Sequence, residues 1–262
     1  MLITVNNTPI FIYSAGKPLR PELPTILFLH GAANDHSVWT WQSRWFAHHG
    51  FNALAVDLPG HGRSGGTAAS SIEEAADWVL KLITALDLPP VHLAGHSMGS
   101  LIALEAASRS TDRIAKLALL GCALPMTVSD ALLDAALNNE QQAIALINGW
   151  SHAPATLLSG GPIPGFWLPG VNRALMGRAK KGILHRDLLN CQEYAAGIAA
   201  AQRVRCPTLL LIGERDLMTP KKSTLELRKN LVDARESMID GAGHAMMNER
   251  HEAVLESLRC FF

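Results

Sequence analysis

Apolar positions in this chain fall into two arrangements, short unbroken runs and longer stretches spaced by three and four residues, and the two alternate along most of its length. Runs at residues 2–5, 10–13, 25–29, 53–56, 91–94, 115–120, 208–212 and 235–240 read as strands. Several contain almost no polar position, the pattern of strands buried on both faces. Helical spacing follows at residues 38–49, from Ser71 to the Pro89-Pro90 stop, and from Leu101 through Ala107. Ser71 and Glu74 have the spacing of a capping box, which satisfies the orphan N–H groups of a helix start. Apolar strands alternating with helices predict an α/β fold: a mostly parallel central sheet of about eight strands with helices on both faces.

The alternation stops over residues 123–205, where no strand run occurs. Ser129, with Asp130 in the first turn, predicts one helix, and Asn139 with Gln142 predicts another ending at Gly149. Residues 160–170 are crowded with Gly and Pro and are expected to be irregular. Helical stretches are expected at residues 172–181 and 184–203. The chain therefore divides into a core, residues 1–122 and 206–262, and a helical cap, residues 123–205, inserted after the sixth strand.

Composition narrows the possible partners. Of 262 residues 48% are hydrophobic, enough for one substantial core, and 23 basic side chains balance 23 acidic ones. That balance gives no electrostatic footprint for nucleic acid or an anionic membrane, so a small-molecule substrate is expected, with the protein a monomer or homodimer. No signal-peptide pattern or membrane-length apolar run is present, and a cytoplasmic location is expected. Cys122, Cys191, Cys206 and Cys260 lie far apart without metal-ligand spacing, so they read as reduced structural thiols, and no metal or cofactor is expected.

Candidate chemistry begins at Gly95-His96-Ser97-Met98-Gly99, between a strand run and a helical run. A serine on a sharp strand-to-helix turn needs neighbours lacking Cβ atoms so that the two elements can approach, which makes Ser97 a candidate nucleophile. A serine hydroxyl needs a base, and the base an acid that fixes its tautomer. Asp216 follows the strand run at 208–212 and His244 follows the last strand, each where ligands bind in open α/β sheets.

With His30-Gly31, Asp57-Leu58-Pro59-Gly60-His61-Gly62-Arg63-Ser64, the Ser97 elbow and the Asp216 and His244 loops, the chain resembles the α/β-hydrolases of the capped esterase and lipase type over nearly its whole length. The resemblance implies a triad of Ser97, His244 and Asp216. It also implies an oxyanion hole from the backbone N–H groups of Met98 and of Ala32, or Ala33 one residue on. Each such donor is worth about 2.7–4 kcal/mol in the transition state. The implied activity is hydrolysis of a carboxylic ester, or a related thioester or lactone, through an acyl-enzyme.

Alternatives share the same residues. Family carbon–carbon hydrolases use this triad but carry an aromatic residue after the histidine, where this chain has Ala245. A non-catalytic receptor and a cofactor-free perhydrolase also fit such a site. Dehalogenase chemistry is disfavoured because its nucleophile is Asp, and here Ser97 stands there. Phe166, Trp167 and Met246 are candidate substrate contacts. Asp57 reads as a structural turn residue, His30, His61 and His96 as hydrogen-bonded turn members, and the basic cap residues as a solvated face.

Overall fold

A computed structural model, describing residues 1–158, 161 and 165–262, shows why the apolar runs are unbroken. Strands β1 (Leu2–Val5), β2 (Thr8–Tyr13), β3 (Thr25–Leu29), β4 (Asn52–Val56), β5 (Val91–His96), β6 (Ile114–Leu120), β7 (Thr208–Gly213) and β8 (Ala234–Ile239) form one sheet in the order β1-β2-β4-β3-β5-β6-β7-β8. The β1–β2 and β2–β4 pairings are antiparallel, and every later pairing is parallel. The alternation with helices thus produced the sheet it implied.

Helices α1 (Thr40–Ala47), α2 (Ile72–Ala85) and α3 (Met98–Arg109) interleave with the first six strands. Between β6 and β7 stand α4 (Asp130–Asn138), α5 (Glu140–Ser151), α6 (Pro154–Leu157), α7 (Leu168–Met176), α8 (Ile183–Glu193) and α9 (Gly197–Arg203). The chain closes with α10 (Leu225–Asn230), α11 (Met246–Glu249) and α12 (His251–Phe261). Alternate residues of each strand serve opposite faces: Ile26 and Phe28 pack with Phe46 of α1 and Leu258 of α12, whereas Leu27 and Leu29 pack with Val79 of α2 and Leu101 of α3.

Leu132, Ala136, Ile144, Met176 and Leu184 form an apolar cluster of their own among the helices between β6 and β7. From Cys191 onward the burial changes partners. Tyr194, Ala200, Ala201 and Val204 join the main core beside α3, and the Tyr194 hydroxyl donates to the Glu105 carboxylate. No helix among the described residues is long and apolar enough to cross a membrane.

Local expectations were altered where side chains found other partners. The helix expected at 38–49 is a 3-10 turn, His36–Trp39, feeding α1, because Asp35 accepts from Ser37 N–H and starts the turn early. Ser71 caps α2 through Glu74 N–H, but the Glu74 carboxylate returns to Ser70 instead of Ser71. The irregular stretch expected at 160–170 fails at its end, since α7 starts at Leu168 with Pro169 in the first turn, where a missing N–H costs nothing. Residues 160 and 162–164 of that stretch lie outside the described residues. The single helix expected at 184–203 is broken around Tyr194, where the side chain turns into the core.

Candidate active site

Ser97 is held at φ 54° and ψ −122°, a left-handed backbone that a non-glycine residue adopts only under constraint. The constraint comes from both sides. Its N–H donates to Leu120 O at 2.9 Å, extending the β5–β6 ladder, while its carbonyl accepts from Ser100 N–H at 2.8 Å as α3 begins. A Cβ on Gly95 would overlap the Gly99 carbonyl oxygen, so the close strand-to-helix approach foreseen for the glycines is real.

Asp216, just beyond β7, is buried and accepts four hydrogen bonds. Met218 N–H and Thr219 N–H donate to Oδ1 at 2.8 Å each, and the Thr219 hydroxyl (2.6 Å) and His244 Nδ1 (2.8 Å) donate to Oδ2. Burial by itself would raise this carboxyl, but the His244 imidazole and the Thr219 donors outweigh it and hold Asp216 at about 2. With Nδ1 donating to a carboxylate, the lone pair of neutral His244 lies on Nε2, which has no protein partner. His96 Nε2 donates to the His244 carbonyl at 2.9 Å and fixes that loop from below. Burial, reinforced by His244, lowers His96 to about 3, so it remains neutral.

Ser97 and His244 line two neighbouring lobes. A cavity of about 60 Å³ lies among Gly31, Ile147, Ser151, Met176 and Ala245, and one of about 320 Å³ among Met126, Val128, Leu132, Trp150 and Leu217. Ala32, Leu188 and Met218 line both lobes with Ser97 and His244. Among the described residues neither lobe is lined by Lys, Arg, Asp or Glu. Trp150, Leu188 and Met218 escaped the sequence reading because they are apolar residues of helices and a loop that only the fold brings over Ser97.

The backbone N–H groups expected for an oxyanion hole behave differently. Met98 opens α3, where no preceding turn offers it a carbonyl, and neither it nor Ala32 donates to another described protein group. Ala33 N–H, by contrast, donates to Asp187 Oδ2 at 2.8 Å.

The candidate substrate contacts are not at these lobes. Met246 is fully buried in the sheet-side core, because the first turn of α11 directs it inward. Phe166 lines an adjoining crevice with Val38, Trp41 and Leu175 that shares Asn172 and Ala245 with the smaller lobe, and Trp167 is 61% exposed, its ring lying against Gly170. Asp57 accepts from His36 N–H, His36 Nδ1 and Arg63 N–H, a structural role. Asp35, His36 and Asp57 are close enough to share a cation, yet their donor atoms are engaged: Asp57 holds His36, and Asp35 holds Ser37 and Arg178. Burial pushes the Cys122 thiol up to about 12 and the Cys191 thiol higher still, so neither is a thiolate at neutral pH.

The family model described as the alpha/beta hydrolase family matches residues 26–257, and the chain belongs to that family. A relative from Acinetobacter baylyi, (E)-2-((N-methylformamido)methylene)succinate hydrolase, is 25% identical over 257 residues, covering 96% of this chain and 92% of the relative. The enol-lactonase from Burkholderia xenovorans LB400 superposes with a TM-score of 0.87 at 22% identity, over all of this chain and 99% of that one. An esterase from Exiguobacterium antarcticum gives 0.84 at 20% identity, covering 99% of this chain and 98% of its own. Likeness to these two structures is a likeness of fold.

Proposed function

We propose that this protein is a serine hydrolase that cleaves the carboxylic ester, or a related thioester or lactone, of a small uncharged molecule. Ser97 Oγ attacks the carbonyl carbon as its proton passes to His244 Nε2, and Asp216 stabilises the imidazolium through Nδ1. The oxyanion is received by the N–H groups of Met98 and Ala32. His244 returns the proton to the leaving oxygen or sulfur, and water, activated by the same imidazole, releases the acid. The observation that carries this reading is the Asp216–His244 pair, which leaves Nε2 unpartnered beside a serine on a strained elbow.

The lining of the lobes sets the substrate class. A carboxylate-bearing substrate, as in the dicarboxylate named for the Acinetobacter relative or a diketone acid, calls for a cation, and among the described residues neither lobe offers Lys or Arg. Arg173, Arg178, Lys180, Lys181 and Arg186 are exposed, away from both. The ester reading is therefore favoured over carbon–carbon cleavage. A lobe of about 60 Å³ is well below the roughly 150 Å³ cavity that admits benzene. It suits a short acyl group, with the bulkier part of the substrate in the larger lobe.

Nitrophenyl esters from acetate to palmitate, with the nitrophenyl monoester of succinate as an anionic member, offered to wild type and Ser97→Ala with and without EDTA, test the reading. Turnover by wild type alone, best for short chains and indifferent to chelation, is the expected result. Equal turnover by Ser97→Ala overturns the serine mechanism, and preference for anionic esters overturns the uncharged substrate class.

A further inference from the structure

A second imidazole–carboxylate pair lies outside the reaction steps. Asp187, on α8, is 1% exposed, and its Oδ2 accepts from two groups distant in sequence, Ala33 N–H at 2.8 Å and His61 Nε2 at 2.9 Å. His61 Nδ1 lies 3.0 Å from the Pro59 carbonyl oxygen. With Asp187 ionised, both neighbours of this ring are acceptors, so both of its nitrogens are placed to donate and the geometry favours the imidazolium. Its neighbour His30, with ring centroids 5.0 Å apart, is arranged oppositely: Nδ1 donates to Gly31 O and Nε2 accepts from Leu58 N–H, which defines a neutral ring.

The recipient of the Asp187 carboxylate is what gives the pair a role. Ala33 has φ 51°, a left-handed conformation that costs a residue with a Cβ and persists only where the surroundings hold it. Two hydrogen bonds hold it: Asn34 N–H donates to Gly31 O at 3.3 Å and closes the turn, and Ala33 N–H donates to Asp187 and ties that turn to α8. One peptide plane earlier is Ala32, which lines both lobes beside Ser97 and whose N–H has no protein partner. Asp187 itself lines neither lobe.

We propose that Asp187 is a positioning residue for the oxyanion hole: its carboxylate, paired with the His61 imidazolium, fixes the Ala33 amide so that the adjoining Ala32 N–H stays turned to the oxyanion. This rests on the serine-hydrolase reading above. It makes α8 part of the reaction geometry without contact to substrate. Loss of the pair weakens what is bound only after Ser97 has added to the carbonyl, and leaves ground-state binding alone.

The test compares wild type, Asp187→Ala and the double variant Asp187→Asn/His61→Gln, which retains a neutral hydrogen-bonding pair where Asp187→Ala leaves a buried cation. A short-chain aryl trifluoromethyl ketone, which forms a hemiketal on Ser97, serves as the transition-state probe. Asp187→Ala should raise its Ki and lower kcat by about 30-fold, with KM for the matching ester changed less than about twofold, and the double variant should recover part of the loss. Hydrogen exchange at the Ala33 amide should quicken in Asp187→Ala. Ki and KM moving together, an unaltered Ki, or unaltered exchange at Ala33 overturns the positioning role while leaving the hydrolase reading intact. A wild-type protein that forms no hemiketal overturns both.

Discussion

Among the described residues two histidine–carboxylate pairs are buried on both sides, His244–Asp216 at 2.8 Å and His61–Asp187 at 2.9 Å, with opposite electronic outcomes. The difference lies in the other nitrogen of each ring. His244 Nε2 has no protein partner and faces the lobes shared with Ser97, so the ring can gain and lose a proton there. His61 Nδ1 is committed to the Pro59 carbonyl, so its ring offers no free lone pair and holds its neighbours in place. A carboxylate beside an imidazole therefore does not by itself mark a base. What marks one is a carboxylate on one nitrogen and a free lone pair on the other.

The largest effect that would separate the pairs is at the acids. Asp216→Asn should lower kcat by about 10⁴-fold, since the amide can impose the wrong tautomer on His244, whereas Asp187→Asn should cost about tenfold. Comparable losses in steady-state ester hydrolysis would erase the distinction.

An intermediate effect is expected at Gly121, where φ is 55° and a Cβ would stand 2.9 Å from His244 Nδ1 and Cε1. Gly121→Ala should displace that ring and cost about 10²-fold in kcat while leaving the His61 pair untouched. An unchanged rate would show that the imidazole position is not tightly required.

The smallest effect is on stability, and its sign differs between the pairs. Asp216 is held at about 2, below its ordinary value, so its contribution is full above about pH 4 and is lost as pH falls toward 2. For His61, burial would lower the imidazole, but the Asp187 carboxylate, with help from Pro59 O and Asp57, raises it. That contribution is full below about pH 6 and is lost as pH rises through the raised value. Urea midpoints across pH should therefore flatten on the acid side in Asp216→Asn, by about 2 kcal/mol, and on the alkaline side in His61→Gln. Flattening on the same side in both variants would contradict the assigned charge states.

Legibility in the sequence followed the range of the interactions. Ser97, Asp216 and His244 each stand beside a strand end with local punctuation, and short-range spacing placed all three near one sheet edge. Asp187 carried no such signal: it lies 154 residues from Ala33, on a helix whose pattern is that of any half-buried surface. The same limit explains Phe166, Trp167 and Met246. Size and proximity to a loop suggested pocket contacts, but the direction of a side chain is decided by helix phase, and the first turn of α11 sends Met246 away from the site. The terminal helix α12 escaped notice too, although Val254, Leu258 and Phe261 form its buried stripe.

β6 and β7 are joined residue for residue, Leu117 opposite Thr208 through Leu120 opposite Leu211, although α4 to α9 intervene along the chain. The register is therefore set without the helices ahead of Cys191, and a donor segment from another protein can replace them provided that Tyr194, Ala200, Ala201 and Val204 stay to fill the main core beside α3. Ala33 sets a further condition on such a chimera. A transplanted segment must bring an acid to the place of Asp187, or the recipient keeps its nucleophile and base but receives a slackened amide beside them.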